Sequence, residues 1–266
     1  MLNSELIIYK DKNWLDNQLH AGQCLNEVFD KVGKLLKEEN NINLLDIEQL
    51  CLNILNKYNC TPTFLNYKSP HATVLFPSAV CVSVNNCLVH GVIKDYILNE
   101  GDLITLDLGA TYNHAIADAA RTWIVKQPKD PIHLELIKIC RESLEVGINA
   151  VKIGNRIGAI GNAISKYIKN NSKFFIITNY GGHGIGPNAH EPPFVANESV
   201  GNEGIRIQGG LSIAIEPMVA LKSNKTLQPN KEDGWSIYMA EKDNICCHFE
   251  DSITLFEDKL IRITGE

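Results

Sequence analysis

Twice along this chain, two stretches of helical periodicity are followed by short β-rich runs, and this recurrence restricts the fold more than any other feature. From Trp14 to Leu36 the apolar residues Trp14, Leu15, Leu25, Val28, Phe29, Val32, Leu35 and Leu36 recur largely at three and four, which gives one helical face. Ile47, Leu50, Cys51, Ile54, Leu55 and Tyr58 repeat the pattern behind Asp46 and predict a second helix ending near Asn59. Sheet is expected from residue 80 to about 125, notably at 102–108 and 119–125. Residues 126–131 then connect to helices around 132–148 and 157–168, followed by strand-like runs at 174–177, 211–215 and 252–256. The expectation is one α+β domain over residues 1–266, its halves (about 1–126 and 131–266) related by an approximate two-fold although no residue-level repeat is visible.

A chain of 266 residues buries enough surface to fold without disulfide or metal staples. Its eight cysteines are scattered through apolar stretches without a CxxC pair, the pattern of buried reduced thiols. No apolar run approaches the roughly 20 residues of a membrane span, and Glu5 stands where a secretory signal carries lysines, so a cytoplasmic protein is expected. With 25 Lys and Arg against 31 Asp and Glu, a net charge of −6 and no dense basic run, no nucleic-acid footprint over the whole surface is expected.

Chemistry concentrates in a few segments. In the stretch from Gly101 to Thr122, a hairpin centred on Tyr112 and Asn113 would set Asp107 directly opposite Asp118. Like charges about 5 Å apart at an effective dielectric near 20 repel by roughly 3 kcal/mol, so a cation or a proton must intervene. The segment Tyr180-Gly-Gly-His183-Gly-Ile-Gly-Pro-Asn-Ala-His190-Glu-Pro-Pro flanks an imidazole with glycines that let backbone approach a ligand closely. Glu216 alternates onto the face opposite Leu211, Ile213 and Ile215, and Glu250 opens an apolar strand. Singly, each is an ordinary strand-end acid or loop histidine. Together they make four carboxylates and one imidazole, a set whose charge two divalent cations balance and whose donors suit Mn, Fe, Co or Zn.

The order Asp107, Asp118, His183, Glu216, Glu250, together with Phe76-Pro-Ser-Ala-Val-Cys-Val-Ser-Val-Asn85, Val89-His-Gly91, Gly182-His-Gly-Ile-Gly, His190-Glu-Pro, Ile215-Glu-Pro-Met and Phe249-Glu250, resembles the methionine aminopeptidases. The resemblance covers nearly the whole chain, and the short spacing between the last three ligand positions is similar to type 1 members. It implies a pita-bread fold, two ααββ halves around a curved antiparallel sheet, holding two divalent ions. Asp107 and Glu250 would bridge both ions, Asp118 would hold one, and His183 with Glu216 the other. The resemblance further implies that Glu216 passes a proton from water to the departing amine, that His190 stabilises the oxyanion, and that His90 contacts the next peptide nitrogen. It places Phe76, Cys81 and Trp235, with His90 and His190, around the substrate. The implied reaction is removal of the initiator methionine from peptides and nascent proteins whose second residue is small, by a monomer with room for a ribosome contact.

Departures from the family pattern gather around the side-chain pocket. Ala189 stands where an aromatic usually precedes the second histidine, residues 68–75 resemble an insertion, and Val92-Ile93 replaces an expected proline. After Glu250 come Asp251 and Ser252 in place of His-Thr. Side-chain selectivity is therefore the least determined property. Two other activities share the scaffold, a proline-directed aminopeptidase and a peptide-binding module that has lost its chemistry; the second normally loses metal ligands, and here all five stand. His20, His71 and His133 carry no comparable context, His114 lies in the expected hairpin turn, and His248 is close enough to Glu250 to support a ligand indirectly.

Overall fold

The computed structural model describes residues 7–69 and 72–265. Helix α1 (Lys12–Glu38) begins where the Asp11 carboxylate accepts the Trp14 amide at 2.8 Å. Helix α2 (Leu44–Lys57) starts three residues before the expected Ile47, because Asn43 rather than Asp46 is the cap, its side chain accepting the Leu45 amide. It ends at Tyr58, and Asn59 leaves it with φ of 53°. In the second half, α3 (Ile132–Asn149) and α4 (Gly158–Asn171) match the periodic runs.

The first half contributes β1 (Thr61–Pro62), β2 (Cys81–Val84), β3 (Cys87–Val89), β4 (Leu103–Tyr112) and β5 (Ala115–Ile124). The second contributes β6 (Phe175–Ile176), β7 (Gly182–Gly184), β8 (Glu191–Val195), β9 (Ser212–Ile215) and β10 (Met218–Ala220). They are followed by β11 (Ile237–Tyr238), β12 (Cys246–His248), β13 (Glu250–Phe256) and β14 (Lys259–Arg262). The main sheet runs β1-β4-β5-β13-β9-β7-β8, with β2 added on β4 and β14 on β13, and its pairings are antiparallel. Strands β6, β10 and β12 form a smaller sheet, and β11 pairs with β3. This is the α+β, pita-bread architecture expected of the sequence, a curved antiparallel sheet backed by two helix pairs.

Alternation along the strands separates core from site. On β4, Ile104, Leu106, Leu108 and Ala110 face α1 and α2 in one buried cluster, which leaves Asp107 on the other face. Leu211 just before β9 joins Ile213 and Ile215 on it in the cluster beneath α3 and α4, and Glu216 falls on the opposite side as the alternation predicts.

One register differs from expectation. The β4-β5 hairpin turns through Asn113 and His114, both at positive φ (45° and 68°), and closes on the Tyr112–Ala115 pair. A two-residue turn of this hand matches strand twist, and Asn tolerates its geometry. Asp107 therefore lies opposite Ala120, and Asp118 opposite Gly109. The two acids share a face as diagonal neighbours, a looser juxtaposition than direct opposition.

Candidate metal centre and active site

Ala120 lies between Asp107 on β4 and Glu250 on β13, its partner on either side, so one row of the sheet carries both acids. Asp118 is held at the edge of that row by a two-way clamp: its amide donates to Ser252 Oγ at 2.8 Å, and Ser252 Oγ donates back to its carbonyl at 2.7 Å. His183 arrives on β7, which can lie this close to its neighbours only because glycines flank it. A Cβ on Gly182 would meet the Ala214 carbonyl at 2.2 Å, and one on Gly184 the Pro192 carbonyl at 2.2 Å.

His183 Nδ1 lies 3.0 Å from the Gly184 carbonyl, an acceptor only, so Nδ1 carries the proton and Nε2 faces the acids. Nε2 is 3.7 Å from Glu250 Oε1, 3.8 Å from Glu216 Oε1 and 4.0 Å from Asp118 Oδ2. Asp107, Asp118 and Glu250 each offer an oxygen within 4.8 Å of the others, and His183, Glu216 and Glu250 form a second such group. The two groups share Glu250. A third grouping of the same reach joins Asp118 and His183 to His190.

The electrostatics match a cation site. Burial pushes the Asp107 carboxyl well above its usual range, and the charges of Asp118 and Glu216 push it further. Glu250 is raised well above its usual range by burial and by Asp118, Glu216 and Asp107. Burial raises Asp118 to about 6 against the opposing pull of His183. Burial also opposes ionisation of Glu216, but His248, whose Nε2 lies 3.3 Å from Glu216 Oε2, together with His183 and His90 offsets it and leaves Glu216 below its ordinary value. Asp118 Oδ1 and Glu250 Oε1 are buried without a hydrogen-bond partner. Acids this crowded, with orphaned oxygens and an imidazole lone pair aimed among them, are a fitting donor set for divalent cations.

The sign of this strain is measurable by pH. A raised carboxyl costs nothing below its unfolded pKa, and its penalty is complete once pH passes the folded value. In cation-free protein, Asp118→Asn is therefore expected to equal its parent near pH 4 and to gain on it as pH rises through about 6, followed by thermal melts in chelator. Melting curves that run parallel across this range would separate Asp118 from the cluster.

The cluster opens into a cavity of about 610 Å³ whose walls include Phe76, Cys81, His90, His190 and Trp235, so the expected substrate residues converge. Phe64, Phe76, Cys81 and Trp235 pack as one group, and Trp235 meets Phe76 edge-on at 5.3 Å. Cys81 is the β2 partner of Asp107, which sets this apolar wall directly against the acids. His90 has φ of 57°, a strained conformation for its residue type, fixed because Gly91 fits where a Cβ would strike the Val82 carbonyl at 2.1 Å. Burial lowers the His90 imidazole to about 4. His190 is open to the cavity but packed round by protein, and this together with His183 and His90 holds its imidazole well below the ordinary value.

Several contributors were beyond the sequence reading or only touched by it. His248 backs Glu216; its alternation with Glu250 was the available signal. Asn197 donates to the carbonyls of Ile177, Tyr180 and Glu216, tying three segments together. Asp251 is fully buried and answered by Arg121 and Arg262, while Arg121 also donates to the Glu250 carbonyl at 2.6 Å. His20 contacts the Tyr58 carbonyl and the Tyr112 ring, and the eight cysteines are buried and free. His71, with part of the 68–75 stretch, lies outside the described residues.

Comparison with known proteins agrees with this geometry. The model of metallopeptidase family M24 matches residues 17–256. The methionine aminopeptidase of Mycoplasma capricolum subsp. capricolum is 33% identical over 253 residues, 95% of this chain and 96% of its own. Methionine aminopeptidase 1 of Bacillus subtilis is 32% identical over 254 residues, 95% of this chain and 96% of its own. The crystal structure of the Thermotoga maritima methionine aminopeptidase superposes with a TM-score of 0.90 at 31% identity, covering 98% of this chain and 100% of that one. The chain belongs to metallopeptidase family M24 and, within it, to the methionine aminopeptidases. Among the described residues no helix is long and apolar enough to cross a membrane.

Proposed function

We propose that this protein removes the initiator methionine from nascent chains and peptides with a small second residue, and that Asp107, Asp118, His183, Glu216 and Glu250 hold two divalent ions for the purpose. The observation that carries this reading is the pair of ligand groups sharing Glu250, set against the apolar wall of Phe64, Phe76, Cys81 and Trp235. Bound there, such cations supply Lewis-acid polarisation of the scissile carbonyl and activate water near neutral pH.

The side chains do the rest. Phe76, Cys81 and Trp235 surround the methionine side chain, whose unbranched thioether suits an irregular apolar wall. Glu216, kept ionised beside His248, accepts a proton from the attacking water and delivers it to the departing amine. His190 is neutral at physiological pH and offers an N–H to the carbonyl oxygen as charge develops on it. His90, also neutral, meets the amide nitrogen of the next residue and steers the leaving group. The protein is read as a cytoplasmic monomer acting on the N-termini of peptides and nascent proteins, with room for a ribosome contact.

A peptide series tests this reading. Met-Xaa-Ser peptides, compared with Ala-, Leu- and Xaa-Pro-starting ones under Mn, Co, Fe and Zn, are expected to be cleaved roughly tenfold or more faster when Met leads and Xaa is small. Preference for Xaa-Pro bonds would replace the substrate assignment and leave the metal site standing. Absence of hydrolysis with every metal would make the chain a binding module.

A further inference from the structure

Tyr67 occupies a place that the mechanism above does not use. Its backbone is pinned to Phe76: the Phe76 amide donates to the Tyr67 carbonyl at 3.0 Å, and the Asn66 amide donates to the Phe76 carbonyl at 2.9 Å. These bonds close off the 68–75 stretch at its base and fix where the tyrosine ring stands. Tyr67 packs against the group containing Phe76 and Trp235 and also against the group containing Ile116 and Ala189. The second group includes Ala189, the small residue that stands where the family pattern has an aromatic. Its hydroxyl reaches His190 Nδ1 at 2.9 Å, with ring centroids 5.2 Å apart.

We propose that Tyr67 is a positioning residue that holds His190 in the Nε2–H tautomer, so that the ring's one proton points into the cavity. The argument is one of proton accounting. A phenol has a single proton, and among the described residues Nδ1 of His190 is the acceptor within its reach. If Nδ1 carried the ring proton, the phenol proton would lose that partner and Nε2 would present a lone pair to the carbonyl it is meant to stabilise. With Tyr67 donating, both protons are used. Packing against both apolar groups keeps the tyrosine from swinging away, and the second of them contains the unusual alanine beside the histidine.

This inference rests on the oxyanion role given to His190, and its test separates the two. Long-range proton–nitrogen NMR of zinc-loaded, histidine-labelled enzyme is expected to show His190 as Nε2–H in the parent and as a tautomer mixture in Tyr67→Phe. The same variant, with its ring packing intact, is expected to lose roughly tenfold in kcat, about the value of one neutral hydrogen bond, with KM changed less than about twofold. Tyr67→Ala also removes the ring and is expected to change both constants. An Nδ1–H tautomer in the parent, or an unchanged tautomer in Tyr67→Phe, overturns the proposal. A changed tautomer with parental kcat upholds Tyr67 as the device that orients the ring and overturns the oxyanion role instead.

Discussion

Asp107→Asn is expected to lose bound divalent metal and peptide hydrolysis together, with kcat/KM falling by at least about a hundredfold. Asp107 belongs to the ligand group formed with Asp118 and Glu250, one strand from the first and two from the second, so no neighbouring oxygen can take its place without moving the sheet. Asn preserves shape and one acceptor oxygen but removes the charge that a cation needs. The same change acts in the opposite direction on the metal-free fold. Like charges about 5 Å apart at an effective dielectric near 20 repel by roughly 3 kcal/mol, so the variant in chelator should melt above its parent, by no more than this, since burial and the charges of Asp118 and Glu216 already oppose ionisation of Asp107. Added cation should then stabilise the parent far more than the variant. Metal content by elemental analysis, hydrolysis, and melts with and without chelator make the three readings. Retained metal with parental rate would remove Asp107 from the site, and lost metal with parental rate would remove the metal from the reaction.

What the sequence disclosed of this site follows from the range of the forces involved. Asp107, Asp118, Glu216 and Glu250 were legible because alternation along a strand is local: once one face is apolar, the acid between must face the other way. The hairpin register was displaced because it depends on which two residues take positive φ, and Tyr112-Asn113 and Asn113-His114 are close competitors until the strands pair. The start of α2 moved for a similar reason, two nearby cap residues competing for one helix end. Contacts between distant segments left no trace in the string. Tyr67 and His190 are 123 positions apart. Asn197 matters only because three carbonyls from separate segments meet at it. Asp251 read as a departure from a family pattern, and its reason appears only when Arg121 and Arg262 fold onto it: a buried acid so paired is tolerated, whereas the same acid alone would not be.

His190→Ala is expected to retain metal yet lose about 10² to 10³ in kcat, the usual cost of removing one oxyanion donor. The outcome discriminates because the geometry allows His190 two roles. Its ring centroid is 4.3 Å from that of His183, and with Asp118 and His183 it forms a group tight enough to hold a cation. A ligand role requires a lone pair directed at the cation; an oxyanion role requires a proton directed at the substrate. Tyr67 at Nδ1 favours the second. A ligand lost to alanine would lower metal content in step with the rate. A lost donor would leave metal content and KM near the parental values, because the carbonyl oxygen accepts this bond most strongly after charge has formed on it. His190→Gln, which restores an N–H without an imidazole lone pair, should recover part of the rate in the donor case. Parental kcat in the alanine variant would sink the oxyanion role, and coordinate loss of metal and rate would move His190 into the ligand set.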